Sequence, residues 1–284
     1  MISVVVPACD RPDTLRDVMD RLAPGAQSLA ADRYEVVVSD DGQRVRALDA
    51  LGASHPWARV VQGPRRGPAA NRNAGASAAR GDWIAFTDDD TEPSAHWLAA
   101  FVSAVVPGTG IYEGRTTCDG GFGSPLNHSP VNESGGLLWS CNFMVATSAF
   151  RAVGGFDDAF PYPHMEDQDL RERLLAAGFR TAFVRDAVVN HPPRRLPNGA
   201  RLGTYRESDV RYMYKHGAKR PVWPLLMRKI ARHKLNVIRD TPKSFDTLIA
   251  YGSLARELLY TARHVRAWEA KYAAEFPGPK LVSR

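Results

Sequence analysis

The sequence has few of the features that mark a secreted or membrane-spanning protein. Only three of its 284 residues are cysteine, and Cys9, Cys118 and Cys141 lie far apart, which argues against a disulfide framework or a zinc site. It contains no charged-then-apolar signal sequence and no run of about 18 apolar residues that could span a bilayer. We therefore expect reduced thiols and a cytoplasmic location.

Two common phosphate-binding motifs are also missing from the sequence. No Gly-x-x-x-x-Gly-Lys-Ser/Thr motif is present, and no Gly-x-Gly-x-x-Gly follows the first apolar segment. These absences count against a P-loop nucleotide hydrolase and against a nicotinamide-dependent enzyme.

Charge is distributed unevenly along the chain. Residues 194–284 hold 20 Lys and Arg against 7 Asp and Glu, a net charge of +13, whereas the preceding residues hold 17 against 24, a net charge of −7. The basic end is suited to peripheral attachment at an anionic membrane surface. Nucleic-acid binding is not expected, because no recognised motif is present and the acidic part would repel DNA.

Short apolar segments rich in β-favouring residues alternate with helical patterns in the first third of the chain. The predicted strands are residues 2–6, 34–39, 59–62 and 83–87, and the predicted helices between them include 13–22 and 69–79. This alternation predicts βαβ units with right-handed crossovers and a mostly parallel α/β sheet.

Acidic residues follow two of these strands directly. Asp40 and Asp41 come after the second strand, and Asp88, Asp89 and Asp90 come after the fourth. Because carboxyl ends of parallel strands meet at one edge of an open sheet, we expect these acids to converge there. A divalent cation would relieve the repulsion among three adjacent carboxylates; the alternative is a solvated acidic turn.

Two further segments carry groups suited to a site at this edge. Arg65, Arg66 and Arg72, with neighbouring asparagines and glycines, supply cationic and amide donors for a phosphorylated ligand. Glu166 and Asp167 fall in the first turn of a predicted helix, where the helix dipole favours negative charge. Such carboxylates either cap the helix or, if they face a ligand crevice, accept a proton.

The order of these motifs resembles glycosyltransferase family 2, whose members have the GT-A fold. The resemblance lies in Ile-Ser-Val-Val-Val-Pro at residues 2–7, Val-Val-Val-Ser-Asp-Asp-Gly at 36–42, Gly-Pro-Ala-Ala-Asn-Arg-Asn-Ala-Gly at 67–75 and Trp-Ile-Ala-Phe-Thr-Asp-Asp-Asp-Thr-Glu-Pro at 83–93. A second block containing Leu-Leu-Trp-Ser-Cys-Asn at 137–142 and Glu-Asp at 166–167 extends it to about residue 195. It implies a catalytic domain over residues 1–195, with a nucleotide-binding half (1–92) and an acceptor half (93–195), followed by a basic, mainly helical region over 196–284.

The resemblance implies inverting transfer of a sugar from a nucleotide-diphosphate sugar to an acceptor hydroxyl, assisted by Mn²⁺ or Mg²⁺. Asp167 would be the general base, and Glu166 would contact the acceptor or orient the site. The metal ligands would be Asp90, Asp88 and His191. Nucleotide-binding residues would be Pro7, Asp40, Asp41, Arg72, Asn73, Asp88 and Asp89. Acceptor-binding residues would be Trp139, Asn142, Tyr162 and His164.

The sequence alone does not identify the acceptor or the binding partners. A glycan, a lipid-linked molecule or a small molecule would each serve as acceptor, with cell-surface polysaccharide or glycoconjugate synthesis as the expected setting. In the predicted helix 224–239, an apolar stripe containing Leu226 and Ile230 either binds an anionic membrane or packs on the catalytic domain. The predicted helix 246–274 packs beside it or forms a homodimer contact. The alternative functions are a nucleotidyltransferase and a non-catalytic sugar-nucleotide or glycan-binding module.

Overall fold

The computed structural model describes residues 1–218 and 221–277. Its strands are β1 (Ile2–Ala8), β2 (Tyr34–Asp40), β3 (Arg59–Gln62), β4 (Trp83–Phe86), β5 (Glu92–Pro93), β6 (Thr109–Thr117), β7 (Asn127–His128), β8 (Phe143–Ala146), β9 (Arg180–Asn190) and β10 (Arg194–Arg195). Its α-helices are α1 (Pro12–Leu22), α2 (Ala47–Leu51), α3 (Pro68–Ser77), α4 (Trp97–Ser103), α5 (Thr147–Ala152), α6 (Glu166–Ala176), α7 (Gly199–Lys215), α8 (Trp223–Asp240) and α9 (Phe245–Glu275).

Eight strands form the central sheet in the order β3-β2-β1-β4-β8-β6-β9-β5. All of them run in one direction except β8 and β5, which are antiparallel to their neighbours. The predicted mostly parallel α/β sheet is therefore confirmed. Because β1 pairs in parallel with both β2 and β4, the carboxyl ends of these three strands lie together at one edge.

Strands β1, β2 and β4 of the sheet are buried on both faces. Along β1, Val4 and Val6 belong to one apolar cluster and Val5 to the other, as the two-residue period of a strand requires. Helices α1 and α4 cover the first face, and α3, α5 and α6 cover the second. The buried side chains of α1 follow helical spacing: Leu15, Val18, Met19 and Leu22.

The chain divides into two compact units. Unit 1 comprises residues 1–119, 129–158 and 166–192, and it contains the eight-stranded sheet. Unit 2 comprises residues 120–128, 159–165 and 193–284, within which the described part contains the β7–β10 pair and helices α7, α8 and α9. The predicted boundary near residue 195 stays a prediction.

Helices α7, α8 and α9 share an apolar core inside unit 2. Leu226 and Ile230 of α8 are buried with Val210 of α7 and with Val265 and Trp268 of α9. The stripe predicted on α8 thus packs within the protein. Helix α7 is not predicted above, although Asn198 caps it by accepting a hydrogen bond from the Arg201 amide. None of the helices in the described part of the chain is long and apolar enough to cross a membrane.

Glycine at position 75 sets how closely α3 approaches the sheet. A Cβ atom built there would lie 2.5 Å from Val5 Cγ1, well inside van der Waals contact. The absence of a side chain therefore lets α3 lie against β1, and α3 carries Arg72 at the sheet edge.

We predict that Gly75→Ala lowers the free energy of unfolding by about 1–3 kcal/mol, since overpacking outweighs the better helix propensity of alanine. Gly252→Ala is the matched control, because nothing lies within 4 Å of its added Cβ on α9; it should stabilise the protein by about 0.5–1 kcal/mol. Urea denaturation measures both effects. A stabilising Gly75→Ala would contradict the packing described here.

Candidate active site

A closed turn fixes the three aspartates that follow β4. The Thr91 hydroxyl donates to the Asp88 carbonyl at 2.8 Å and lies 2.7 Å from the Thr87 hydroxyl, which is also buried. Because the turn is tied at both ends, the side chains of Asp88, Asp89 and Asp90 leave it in defined directions.

Asp88, Asp90 and His191 form one cluster. An oxygen from each carboxylate and a ring nitrogen of His191 all lie within 4.8 Å of one another. The Nε2 atom of His191 lies 3.7 Å from Asp90 Oδ1. The structure therefore brings together the three residues that the sequence predicts as metal ligands.

The chemistry of His191 fits a cation ligand. Its ring is buried, and Nδ1 lies 3.0 Å from the Pro192 carbonyl, which can only accept a hydrogen bond. Nδ1 therefore carries the proton, and Nε2 presents a lone pair. Within the described residues, Nε2 is buried without a hydrogen-bond partner. Two carboxylates and one such imidazole are a suitable ligand set for Mn²⁺, and Mg²⁺ fits the carboxylates.

Asp89 faces a different group from its two neighbours. Its carboxylate accepts a hydrogen bond from the Cys9 amide at 3.1 Å and pairs with Arg11, which also pairs with Asp90. Burial raises the pKa of Asp89 to about 7, although the charge of Arg11 opposes this shift. Asp89 is thus held by the carboxyl end of β1, while Asp88 and Asp90 face His191.

Arg72 connects the aspartate turn to the start of α6. Its guanidinium lies 2.5 Å from Asp88 Oδ1 and 3.7 Å from Glu166 Oε1, and it packs over the Phe156 ring. The side chain is almost entirely buried. A buried guanidinium between two carboxylates is stabilised by both of them, so Arg72 couples the predicted metal site to the predicted catalytic pair.

Glu166 and Asp167 are both buried in the first turn of α6. Burial, reinforced by the charge of Asp167, raises the pKa of Glu166 to about 7, against the lowering effect of Arg72. Asp167 accepts a hydrogen bond from the Gln168 amide at 2.7 Å. A carboxyl group whose pKa is raised by burial and by a neighbouring carboxylate, as that of Glu166 is, marks a site suited to proton transfer.

The predicted nucleotide-binding residues line the carboxyl ends of β1 and β2. Asp40 accepts from the amides of Gly42 and Ala47 and from Arg46 Nε, so it organises the loop before α2. Asp41 accepts from the Arg65 amide at 2.8 Å. Pro7 is buried in β1. Asn73 makes a pair of hydrogen bonds with the backbone of Phe156, which gives it a structural role. The nucleotide contacts of these residues stay predictions.

The predicted acceptor-binding residues lie in both units. In unit 1, Trp139 donates to the Val131 carbonyl, and Asn142 is buried and bonded to Trp97, Arg115 and Ala187. This bonding gives Asn142 a structural role that the sequence did not indicate.

In unit 2, His164 lies 2.9 Å from Asp209 Oδ2, and the Tyr162 ring packs against Tyr205. Asp209 also accepts from Arg206. These bonds anchor the loop that contains both predicted residues, and their contacts with an acceptor stay predictions.

Arg11 is the main site residue that sequence reasoning missed. It follows β1 at the same sheet edge as the aspartates, and that position was a usable signal. Glu113 was also missed: it is buried and accepts from Arg171 of α6 and from the Gly136 amide. No local pattern identifies Glu113, because its partners are distant in sequence.

Comparison with known proteins confirms the resemblance predicted from the sequence. Residues 3–135 match the model of glycosyl transferase family 2. A pre-mycofactocin glycosyltransferase of Mycobacterium tuberculosis is 32% identical over 217 residues, a match that covers 68% of this chain and 43% of that protein. The O-antigen biosynthesis protein RfbC of Myxococcus xanthus is 30% identical over 230 residues, covering 67% of this chain and 17% of that protein. The chain thus spans less than half the length of these relatives.

Solved glycosyltransferase structures share the fold at low sequence identity. The mannosyltransferase PcManGT of Pyrobaculum calidifontis, in complex with GDP-Man and Mn²⁺, has a TM-score of 0.56 and 18% identity, with 96% of this chain and 84% of that chain covered. Residues 1–349 of TarS from S. aureus, in complex with UDP-GlcNAc, have a TM-score of 0.58 and 14% identity, covering 96% and 92%. The chain has the GT-A fold, and residues 3–135 carry the sequence signature of glycosyltransferase family 2.

We predict that His191→Ala weakens Mn²⁺ binding by at least about tenfold, because the cluster loses its nitrogen ligand. Electron paramagnetic resonance of unbound Mn²⁺ during titration measures the affinity. His96→Ala is the control, since His96 is an exposed histidine of unit 1 that bonds to Ser28. Equal Mn²⁺ affinity in both variants would contradict the assigned ligand.

The raised pKa of Glu166 predicts that the metal-free protein loses stability as pH rises from about 4.5 to 7, since the folded state holds a proton that the unfolded state releases. Glu166→Gln should reduce that loss by on the order of 1 kcal/mol. Urea denaturation in chelator at several pH values measures it. Glu172→Gln, on the same helix but half-exposed, should keep the wild-type dependence. Identical pH dependence in the two variants would remove Glu166 as its source.

Proposed function

We propose that this protein is a metal-dependent inverting glycosyltransferase that moves a sugar from a nucleoside-diphosphate sugar to an acceptor hydroxyl. One observation carries the proposal: Arg72 joins the Asp88–Asp90–His191 cluster to Glu166 and Asp167 at the carboxyl edge of the sheet. The family match over residues 3–135 and the glycosyltransferase names of the relatives support it.

The charge of the site suits a donor that carries a diphosphate and a cation. Five carboxylates, those of Asp88, Asp89, Asp90, Glu166 and Asp167, lie around the two guanidiniums of Arg11 and Arg72. The acids therefore exceed the cations by three charges when all are ionised. A bound Mn²⁺ or Mg²⁺ would act as a Lewis acid toward the leaving diphosphate. Asp88, Asp90 and His191 would hold that ion.

The guanidiniums would then complete the donor site. Arg72, already at the sheet edge, has the planar donor geometry that suits a phosphate. Arg11 pairs with Asp90 through Oδ2, whereas Oδ1 of Asp90 faces His191, so a cation bound at Oδ1 would leave the pairs of Arg11 with Asp89 and Asp90 in place. Asp41, near the end of β2, would contact the nucleoside.

Asp167 would take the proton of the acceptor hydroxyl as its oxygen attacks the anomeric carbon. The new bond forms on the face opposite the departing nucleoside diphosphate, so the configuration at that carbon inverts. Glu166, beside it and paired with Arg72, would orient the catalytic carboxylate. The names of the relatives favour a glycan, lipid-linked or small-molecule acceptor in polysaccharide or glycoconjugate synthesis.

A non-catalytic sugar-nucleotide-binding module is the second candidate. It would use the same cation and nucleotide residues, but it would not need a buried Glu166–Asp167 pair in which the pKa of Glu166 is raised. A nucleotidyltransferase would likewise leave this pair without a task. The geometry therefore favours the transferase.

We predict that Asp167→Asn lowers transfer or donor hydrolysis by at least about 100-fold, because a general base is lost. Donor affinity should stay within about twofold of wild type, since Asp167 does not belong to the metal cluster. UDP-GlcNAc and GDP-mannose, each with Mn²⁺, are tested by calorimetry for binding and by release of the nucleoside diphosphate for turnover.

Asp186→Asn is the matched control, because Asp186 is an exposed aspartate of unit 1. Full turnover by Asp167→Asn would remove Asp167 as the base. Metal-dependent binding by the wild type without turnover over a panel of glycan, polyprenyl and small-molecule acceptors would favour the binding module.

A further inference from the structure

Helix α9 has a solvent-facing side with unusual composition. On its opposite side, Leu254, Val265 and Trp268 are buried in the core of unit 2. The solvent side begins with large apolar side chains: Phe245 is 76% exposed, Leu248 67%, Ile249 39% and Leu259 52%. Apolar side chains of this size are expensive to expose when they are clustered.

The second half of the same side carries arginines. At 100° per residue, Arg256, Arg263 and Arg266 fall with these apolar residues in a sector about 100° wide. All three arginines are exposed. We call this surface, formed by Phe245, Leu248, Ile249, Leu259, Arg256, Arg263 and Arg266, the α9 face.

The carboxylates of α9 lie outside the α9 face. Asp246 accepts from Ser124, Glu257 is buried and accepts from Arg206, Glu269 accepts from the amides of Val222 and Trp223, and Glu275 accepts from Arg211. Over described residues 245–274, the exposed sector thus contains arginine and apolar residues but no acid. Its charge is uniformly positive, and a complementary surface must be anionic.

We propose that the α9 face binds the surface of an anionic lipid bilayer. Large apolar side chains on one helix face, combined with arginine and without carboxylates, are typical of helices that lie in the membrane interface. Phe245, Leu248 and Ile249 enter the boundary between headgroups and acyl chains, and the arginines contact lipid phosphates. The stripe on α8 does not serve this purpose, because Leu226 and Ile230 are buried inside unit 2.

The composition of the α9 face argues against a second copy of the chain, and against a nucleic acid, as its binding partner. A second copy of the chain, packed by two-fold symmetry, would bring two sets of the three arginines onto one interface, where like charges repel. A nucleic acid would pair with the arginines but would leave the exposed Phe245 and Leu248 in water. Only an anionic interface with an apolar interior satisfies both halves of the face.

Co-sedimentation of the full-length protein with vesicles tests the proposal. The wild type should bind vesicles of mixed phosphatidylcholine and phosphatidylglycerol at low salt, and it should not bind phosphatidylcholine alone. The double variant Phe245→Glu/Leu248→Glu should bind at least about tenfold more weakly, because two buried apolar groups become charged. Arg263→Gln/Arg266→Gln should lose about fivefold in affinity per arginine.

Leu225→Glu is the matched control, since Leu225 is 60% exposed on α8 outside the α9 face; it should bind as the wild type does. Circular dichroism and melting temperature check that each variant is folded. The proposal is overturned if the wild type does not bind anionic vesicles, or if Leu225→Glu weakens binding as much as the double variant. It is also overturned if sedimentation equilibrium shows a dimer that Phe245→Glu/Leu248→Glu dissociates.

Discussion

The balance between carboxylates and guanidiniums at one sheet edge is the constraint on which the rest of the site depends. The side chain of Asp89 is fully buried and pairs with Arg11. Asp88 pairs with Arg72, whose side chain is almost entirely buried. These pairings matter because an isolated buried charge costs several kcal/mol. The pairs offset that cost but leave the site net negative. A cation would stabilise a site with this excess charge, and His191 would supply a nitrogen ligand beside the two carboxylates.

Strand pairing and the close approach of one helix to the sheet bring these groups together. Parallel pairing of β1 with β4 places Arg11 beside the aspartate turn, and the close approach of α3 at Gly75 places Arg72 on its other side. The end of β9 supplies His191, whose backbone amide donates to the Thr117 carbonyl of β6. The site residues therefore come from segments distant in sequence but are fixed by backbone pairing, which gives the rigidity that catalysis requires.

Local patterns were enough to predict much of this arrangement. The apolar segments before Asp40 and Asp88 predicted parallel strands, and the strand ends predicted where the acids would meet. Arg72, Asp90 and His191 were named from motifs, and the structure places them around one centre. Helix spacing also predicted α6, α8 and α9.

Other features depend on contacts that no local pattern encodes. The pairing of Arg11 with Asp89 joins residues 78 positions apart, and Asn142 is bonded by three partners that only the folded sheet brings near it. The α8 stripe shows the same limit: amphipathic spacing defines an apolar face but not what covers it, and here the cover is α7 and α9. Strand β9 pairs with β6 in a register that shifts between Gly114 and Arg115, and such a bulge interrupts the period-two pattern by which a strand is recognised.

The most direct test of the account is anomalous diffraction from a crystal soaked with Mn²⁺ and a nucleoside diphosphate. The account predicts a manganese peak within coordination distance of Asp90 and His191, with the diphosphate beside it. A well-occupied diphosphate with the manganese peak elsewhere, or with no metal at His191, would contradict the assignment of this sheet edge as the donor site.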